Sequence, residues 1–597
     1  MTQETKICQN CKQNFVIEPE DFAFYNRIQV PPPTFCPQCR MQQKLASYNE
    51  RALFRLKCQA PGHSEDIISR YSPETNHVVY DQNYWWSDKW DPMDYGREYD
   101  FSKPFFAQFR ELSLSVPVAN VRNINSVNCE FCTWASNSKN CYLVSGAYFS
   151  EDCMYSDTPA LSRNCIDTSI SIFCETMYEC YSCTRCFKLL FSEYCIDCLD
   201  SSFLSDCRNC SDCFGCVGLR NKQYHIFNKP YKKKEYEAEI LKINLGNYEV
   251  LQEIRAKYEK FKESIPRKYM FEKNTVNCTG NDLDNAKNCK FSFEVRDGAE
   301  NCKYLLVCGR RIKDSYDMFA GGEKCELAYS SIAFSSQNIA FADGARECID
   351  SEYISSCRSC RHVFGCVSLD NKEYCILNKQ YTKEEYGKLL PKIKKHMNET
   401  PYVDKVGKVY RYGEFFPPEF SYCAYNNSLA QDYFPLTKEQ ALTQGFLWRD
   451  GNAKQYQNAI NPETLSNDIK DIGKNLLSDK VVICTHKGEC AHQCKGAFKI
   501  TPRELGFYRR LNVPLPRLCS DCRHFGRIAG KKKYQLWERG CMCEGKKSKN
   551  PISYVEYTNQ TKHFHNESPC PNQFNTSYSS EDREIIYCSE CYQSEIQ

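Results

Sequence analysis

The run Phe24–Tyr25–Asn26–Arg27, Pro31, Pro33, Cys36-x2-Cys39–Arg40 decides how this chain is built, because it occurs twice. It returns as Phe507–Tyr508–Arg509–Arg510, Pro514, Pro516, Cys519-x2-Cys522–Arg523. Cys11–Lys12…Phe15 precedes the first run and Cys58 follows it. Cys494–Lys495…Phe498 precedes the second and Cys541 follows it. Every pair lies 483 positions apart with no gap. A register kept over about 50 residues marks a duplicated cysteine domain, with one copy near each end of a long middle.

The first copy pairs Cys8-x2-Cys11 with Cys36-x2-Cys39, two knuckles whose spacing suits one tetrahedral zinc with four thiolates. Soft thiolates select zinc, and a short segment with little core gains its fold from the metal. In the second copy Ala491 stands where Cys8 would fall. Cys490 lies one residue earlier, so the expected set is Cys490, Cys494, Cys519 and Cys522, with Cys484, His486 and His492 as rivals for the first place. The duplication continues: Tyr71–Ser72…Glu74…Val78–Val79–Tyr80 matches Tyr578–Ser579…Glu581…Ile585–Ile586–Tyr587. A second all-cysteine site is therefore expected at Cys541, Cys570, Cys588 and Cys591, with Cys543 and His565 as substitutes. Copy one keeps only Cys58 and His63 from it, with Asp81 as a weak third ligand, and is expected to be metal-poor there. The expectation is about three Zn2+ per chain.

Composition agrees with metal rather than disulfide chemistry. Of 597 residues 41 are Cys, no apolar run reaches the length of a membrane span, and Met1–Thr2–Gln3–Glu4–Thr5–Lys6 holds no apolar signal core. The expected setting is the cytoplasm, where thiols stay reduced and serve as ligands or as buried small hydrophobes. A net charge of +3 gives no global argument for nucleic acid, so local patches must carry one.

In the middle a cysteine recurs at a constant interval, at Cys132, Cys153, Cys174, Cys195 and Cys216, each number 21 above the last. A second column keeps step at Cys165, Cys186 and Cys207. The block Phe214–Gly215–Cys216–Val217…Asn221–Lys222…Tyr224 returns 150 residues later as Phe364–Gly365–Cys366–Val367…Asn371–Lys372…Tyr374. Cys302, Cys325 and Cys348 are 23 apart. A fixed period near 20 without a helical stripe predicts a β-solenoid of about 21–23 residues per coil, with columns of small residues stacked inside. Clusters such as Cys207-x2-Cys210-x2-Cys213-x2-Cys216 invite a metal or iron–sulfur reading, but the columns favour a ladder of buried thiols. Helices are expected after each half, one with Leu251, Ile254, Tyr258 and Phe261 on a stripe and one opened by a capping box at Thr382, both as caps on open solenoid ends. The predicted class is thus mainly β with short helices: duplicated zinc-ribbon or treble-clef-like end modules flanking a two-part β-solenoid. In residue numbers this reads as zinc module 1–100, solenoid half 101–230, helical connector 231–275, solenoid half 276–380, helical or irregular linker 381–475 and zinc module 476–597.

No phosphate loop, nucleophile elbow or HExxH pair is present, and no catalytic set can be assembled. The best binding patch is the basic, aromatic-interleaved stretch 523–549, with Arg527, Lys531, Lys532, Lys533 and Arg539 as nucleic-acid candidates. Its copy-one counterpart carries Arg40, Lys44, Arg51, Arg55 and Lys57. The leading expectation is a non-enzymatic zinc-binding scaffold or adaptor contacting RNA, DNA or a protein complex, with no membrane and no small-molecule cofactor. The alternatives are a solenoid enzyme or binder of a carbohydrate or other polymer, and metal or redox buffering by the cysteine columns.

The strings Phe24–Tyr25…Pro31–Pro32–Pro33…Cys36–Pro37–Gln38–Cys39–Arg40, Phe364–Gly365–Cys366–Val367…Asn371–Lys372–Glu373–Tyr374–Cys375 and Tyr587–Cys588–Ser589–Glu590–Cys591–Tyr592 resemble a family of uncharacterised, cysteine-rich zinc-ribbon proteins of small-genome candidate-phyla bacteria. The resemblance spans almost the whole chain and implies zinc and little more. Such proteins often carry a CaiB/BaiF label, after CoA transferases. These residues do not support it, because they show no doubly wound βαβ pattern and a cysteine density foreign to that fold.

Overall fold

Inside the middle region the backbone obeys a period of three. From Asn125 to Phe227 every third residue has a positive φ, including bulky ones such as Phe131, Trp134 and Tyr155, with Gly at 146, 215 and 218. A left-handed conformation is costly for a side-chain-bearing residue, so something must hold each one. The hydrogen bonds do: Val127 N–H donates to Ser138 O (3.0 Å) and Asn140 N–H to Val127 O (2.9 Å), and the pattern repeats along the segment. The result is four sets of parallel pairings, each linking residue i to i+12, as in Ile124↔Ser136, Val127↔Lys139, Glu130↔Tyr142 and Thr133↔Ser145. Longer strands continue them, for instance Arg163↔Glu175 and Phe187↔Leu199.

Up to Gly218 the residue after each left-handed one points inward, and its own N–H has no place in the ladder. Small polar side chains take it. Ser150 N–H donates to Ser138 Oγ (3.2 Å) and Ser162 N–H to Ser150 Oγ (3.3 Å), while Cys Sγ–H groups donate to the carbonyl two residues back, as in Cys195 to Glu193 O (3.3 Å). Hence the inward column is mostly Ser and Cys, with Ala, Val, Leu, Met, Thr and Pro between them, and the cysteines from Cys132 to Cys216 are buried. The second half behaves alike with looser steps: Glu272↔Leu283 spans 11, Ala286↔Ala299 spans 13, and Gln337↔Ile349 returns to 12.

The ladder therefore steps from i to i+12, as Ile124↔Ser136 shows, and not by the longer coil expected from the cysteine columns. Every cysteine from Cys129 to Cys216 falls on the same position of the triplet, so any multiple of three, 21 included, keeps a thiol inside. The cysteine period reported which side chains point inward, not how long a rung is.

The computed structural model describes residues 2–451, 456–473 and 480–596. Short strands outweigh short helices, no sheet closes on itself, and no helix among the described residues is long and apolar enough to cross a membrane. The expected linker boundary at 475 lies outside the described residues. The chain divides into two compact units, one of residues 1–122, 270–449 and 532–536, the other of residues 123–269, 450–531 and 537–597. Each unit holds one copy of the cysteine domain and one ladder region.

In each unit the arginine of the CxxCR motif ties the two parts. Arg40 donates from Nε to Asp317 Oδ2 (2.9 Å) and from Nη1 to Phe35 O (2.6 Å). Arg523 does the same with Asp167 Oδ2 (2.6 Å) and Leu518 O (2.8 Å). All four ionic side chains are buried. Within the second unit the helix Tyr248–Ser264 runs along the ladder rather than capping an end: Arg255 pairs with Glu179, Tyr258 packs on Phe203 (5.5 Å) and Phe261 on Phe227 (5.3 Å), all members of one i to i+12 series. The capping box at Thr382 forms as read, with Glu385 N–H donating to Thr382 Oγ1 (3.2 Å) at the start of Lys383–Glu399.

Candidate metal centres

The cysteine domains repeat one small device, a tight antiparallel hairpin followed by a helix. In copy one the hairpin Glu4–Ile7 with Asn14–Ile17 presents Cys8 and Cys11, and Cys36 caps the helix Pro37–Ala46, which carries Cys39. The four sulfurs converge within 4.8 Å of one another, with Cys11 and Cys36 3.8 Å apart. A tetrahedron with metal–sulfur bonds of about 2.3 Å has an edge of about 3.8 Å. Sulfurs of a disulfide would sit about 2 Å apart.

Copy two shows the same device with different letters. The hairpin Val482–Ile483 with Ala497–Phe498 presents Cys484 and Cys494, and Cys519 caps the helix Ser520–Ile528. Cys484, Cys494, Cys519 and Cys522 converge, with edges of 3.8 Å (Cys484 to Cys522) and 3.7 Å (Cys494 to Cys519). The first ligand position is thus Cys484, one of the rivals, and not Cys490. A backbone bond marks the equivalence: Cys36 N–H donates to Cys8 Sγ (3.2 Å) as Cys519 N–H donates to Cys484 Sγ (3.3 Å). Cys490 converges instead with His486, His492 and Cys522.

The third tetrad is Cys541, Cys570, Cys588 and Cys591, on the antiparallel strand pair Trp537–Gly540 with Gln573–Thr576 and the helix Ser589–Glu595. Cys588 N–H donates to Cys541 Sγ (3.2 Å), and Cys570 lies 3.9 Å from Cys588. Beside it Cys543, His563, His565 and Cys591 form a further group. His563 escaped the sequence reading; the Cys541-x-Cys543 and His563-x-His565 spacings were the available signal.

Within each tetrad at least one sulfur is held below the usual thiol range. Hydrogen bonds from Cys36 and Cys39 hold Cys8 well below the usual thiol range, those from Cys494, Cys519 and Cys522 do so for Cys484, and those from Cys541 and Cys591 for Cys588. Cys39, Cys522 and Cys591 are pushed up by the same partners. An incoming soft cation would meet at least one ready thiolate and displace the remaining protons.

The copy-one remnant is built differently. Asp81 N–H donates to Cys58 Sγ (3.2 Å), matching the Cys588 bond, but the Asp81 carboxylate accepts from Asn83 N–H (2.9 Å) as the cap of Gln82–Trp85. His63 Nδ1 lies 2.8 Å from Glu65, and the ring of Tyr84, at the position of Cys591, packs edge-on against His63. Capping and aromatic packing hold here what thiolates hold in copy two.

The basic stretch divides. Arg523 is internal, and Arg527 Nη1 lies 3.1 Å from Asp167 with its side chain buried. This corrects the reading of Arg527 as a surface contact. Arg539 donates to Ser579 O (2.6 Å). Lys531 lies over the Tyr181 ring and Lys533 is exposed. Copy one repeats the internal use: Lys44 is buried, which pushes its ammonium down to about 8, and Arg51 forms a two-pronged pair with Asp432.

No family model matches the chain and no curated protein does. Among solved structures, one of Desulfovibrio desulfuricans G20, provisionally named an acetyltransferase, is similar over 36% of this chain and 64% of its own length. At 9% identity and a TM-score of 0.09, that likeness carries no argument about fold or function.

Proposed function

We propose that the protein is a non-enzymatic scaffold whose duplicated cysteine modules are each locked by zinc and seated on a β-solenoid that repeats from i to i+12. One observation carries the metal reading: sulfurs from separate hairpins and helix caps meet at tetrahedral edge lengths in Cys8/Cys11/Cys36/Cys39, Cys484/Cys494/Cys519/Cys522 and Cys541/Cys570/Cys588/Cys591. All-thiolate sets favour zinc, and four protein ligands leave no open position for substrate, which suits a structural role. The parallel registers Glu272↔Leu283, Ala286↔Ala299 and Gln337↔Ile349 support the solenoid reading. The same proposal includes a nucleic-acid partner reached through Lys531, Lys532 and Lys533. Elemental analysis of the purified chain should return at least about three zinc per molecule. A strong chelator should remove them and melt the helices that Cys36, Cys519 and Cys588 cap. Metal content near zero, or iron in place of zinc, overturns the reading.

A further inference from the structure

Cys522 and Cys591 each stand between two groups of donors. Cys522 Sγ has Cys484 at 3.8 Å on the tetrad side, and Cys490 at 3.6 Å with His486 Nδ1 at 3.2 Å on the other. Cys591 belongs both to the tetrad with Cys541, Cys570 and Cys588 and to the group of Cys543, His563 and His565. The two cysteines occupy one structural place, the third residue of a helix whose cap is itself a tetrad ligand. A tetrahedral ion already surrounded by four sulfurs has no use for three more donors.

We infer that copy two holds two dinuclear zinc centres, in which the thiolates of Cys522 and Cys591 each bridge the tetrad metal to a second zinc. His486, Cys490 and His492 complete the second ion at Cys522. Cys543, His563 and His565 complete it at Cys591. The inference rests on the tetrad reading above.

The histidines are set as ligands are. His563 turns Nδ1 toward Cys543 Sγ (3.1 Å) while Nε2 meets Glu595 Oε1 at 2.9 Å, and both side chains are fully buried. Glu595 is fixed in turn by Tyr557 Oη (2.8 Å) and the N–H of Gln560 (2.9 Å). His565 turns Nε2 toward Cys591 Sγ (3.2 Å) while Nδ1 meets Ser568 O at 2.6 Å. A carboxylate or carbonyl on the remote nitrogen fixes the tautomer and leaves the other nitrogen for a metal. The nitrogen–sulfur separations are a few tenths of an ångström shorter than the roughly 3.5 Å edge expected around zinc, a small outward movement on loading. His492 Nδ1 is buried without a hydrogen-bond partner. Copy one supplies the contrast. Beside Cys39, the counterpart of Cys522, stands Asn10, whose amide donates to Cys39 Sγ (3.3 Å) and so holds it as a terminal ligand.

The test uses the full chain. Native mass spectrometry should count about five zinc ions, one at Cys8 and two at each copy-two centre. Loading with 113Cd should give resonances of all-sulfur sites and, separately, of sites with two sulfurs and two nitrogens, joined by cadmium–cadmium coupling through the bridging sulfur. His563→Ala with His565→Ala should remove one ion and abolish one coupling. About three ions with all-sulfur resonances alone would overturn the bridging while leaving the tetrads intact; no bound metal would overturn both. Should the double variant fail to fold, the wild-type cadmium spectrum decides the question by itself.

Discussion

Arg523 opens the basic stretch read as a binding patch, and the fold uses it as a bolt. Its guanidinium joins Asp167 and lies 3.9 Å from Glu504, with all three side chains buried. Removing one partner of a buried pair strands the other charge, at a cost of about 3–5 kcal/mol. Arg523→Ala should therefore destabilise the second unit by about that amount in denaturant unfolding, and Arg40→Ala should do the same in the first. Burial already raises the Glu504 pKa against the pull of Arg523. Without the arginine the stranded Glu504 carboxylate takes up a proton more readily, so the penalty should shrink as the pH falls. A loss below about 1 kcal/mol would show that the pair is only a surface bridge in effect. The same residue scale shows where sequence reading stopped. CxxC spacing places Cys8, Cys11, Cys36 and Cys39 at once. Nine residues separate Cys484 from Cys494, and Cys490 sits closer to the expected gap. The convergence of Cys484 with Cys494, Cys519 and Cys522, and the N–H of Cys519 on Cys484 Sγ across 35 residues, identify the right thiol.

At the scale of the element, the cysteine columns are a consequence of the triplet backbone. An inward position is buried, and a polar residue there either accepts the orphan N–H of the next rung or bonds a carbonyl. Serine does the first and cysteine the second. That explains why Cys195 is buried, donates to Glu193 O, and has its thiol pushed up by burial. A neutral thiol of this kind is packing, not ligation. Cys195→Ala should leave a small cavity costing on the order of 1–2 kcal/mol and leave the zinc content unchanged. Loss of a whole metal equivalent would mean that the column serves as a cluster. The sequence displayed the inward columns but not the rung length, because 21 and 12 share the factor of three that fixes the facing of a side chain. The parallel pairing that fixes 12 is made by backbone groups, which carry no letter.

At the scale of the whole chain, both duplications were legible, at 483 and at 150 residues, because each copy repeats its own letters. Which module goes with which ladder was not. Copy one shares its unit with the second ladder, tied by Arg40 to Asp317 across 277 residues, and copy two shares its unit with the first. No local signal announces a buried ion pair at that range. This arrangement also narrows the case for a nucleic-acid partner. Arg40, Lys44 and Arg51 in copy one, and Arg523 and Arg527 in copy two, spend their charge inside the units. The basic positions that the copies share, Arg40 with Arg523 and Lys44 with Arg527, are therefore structural, and a phosphate contact must come from other residues. Lys531, Lys532 and Lys533 are the candidates in copy two. Lysines on phosphate set affinity and its salt dependence without choosing sequence. Changing the three together to Ala should weaken binding to every DNA and RNA alike and flatten the slope of log affinity against log salt by up to about three units. Zinc content should stay as in the parent chain, since none of the three belongs to a tetrad. If the parent chain shows no salt-sensitive binding to either nucleic acid at low ionic strength, the lysines are a solvated face, and a protein partner becomes the reading to pursue.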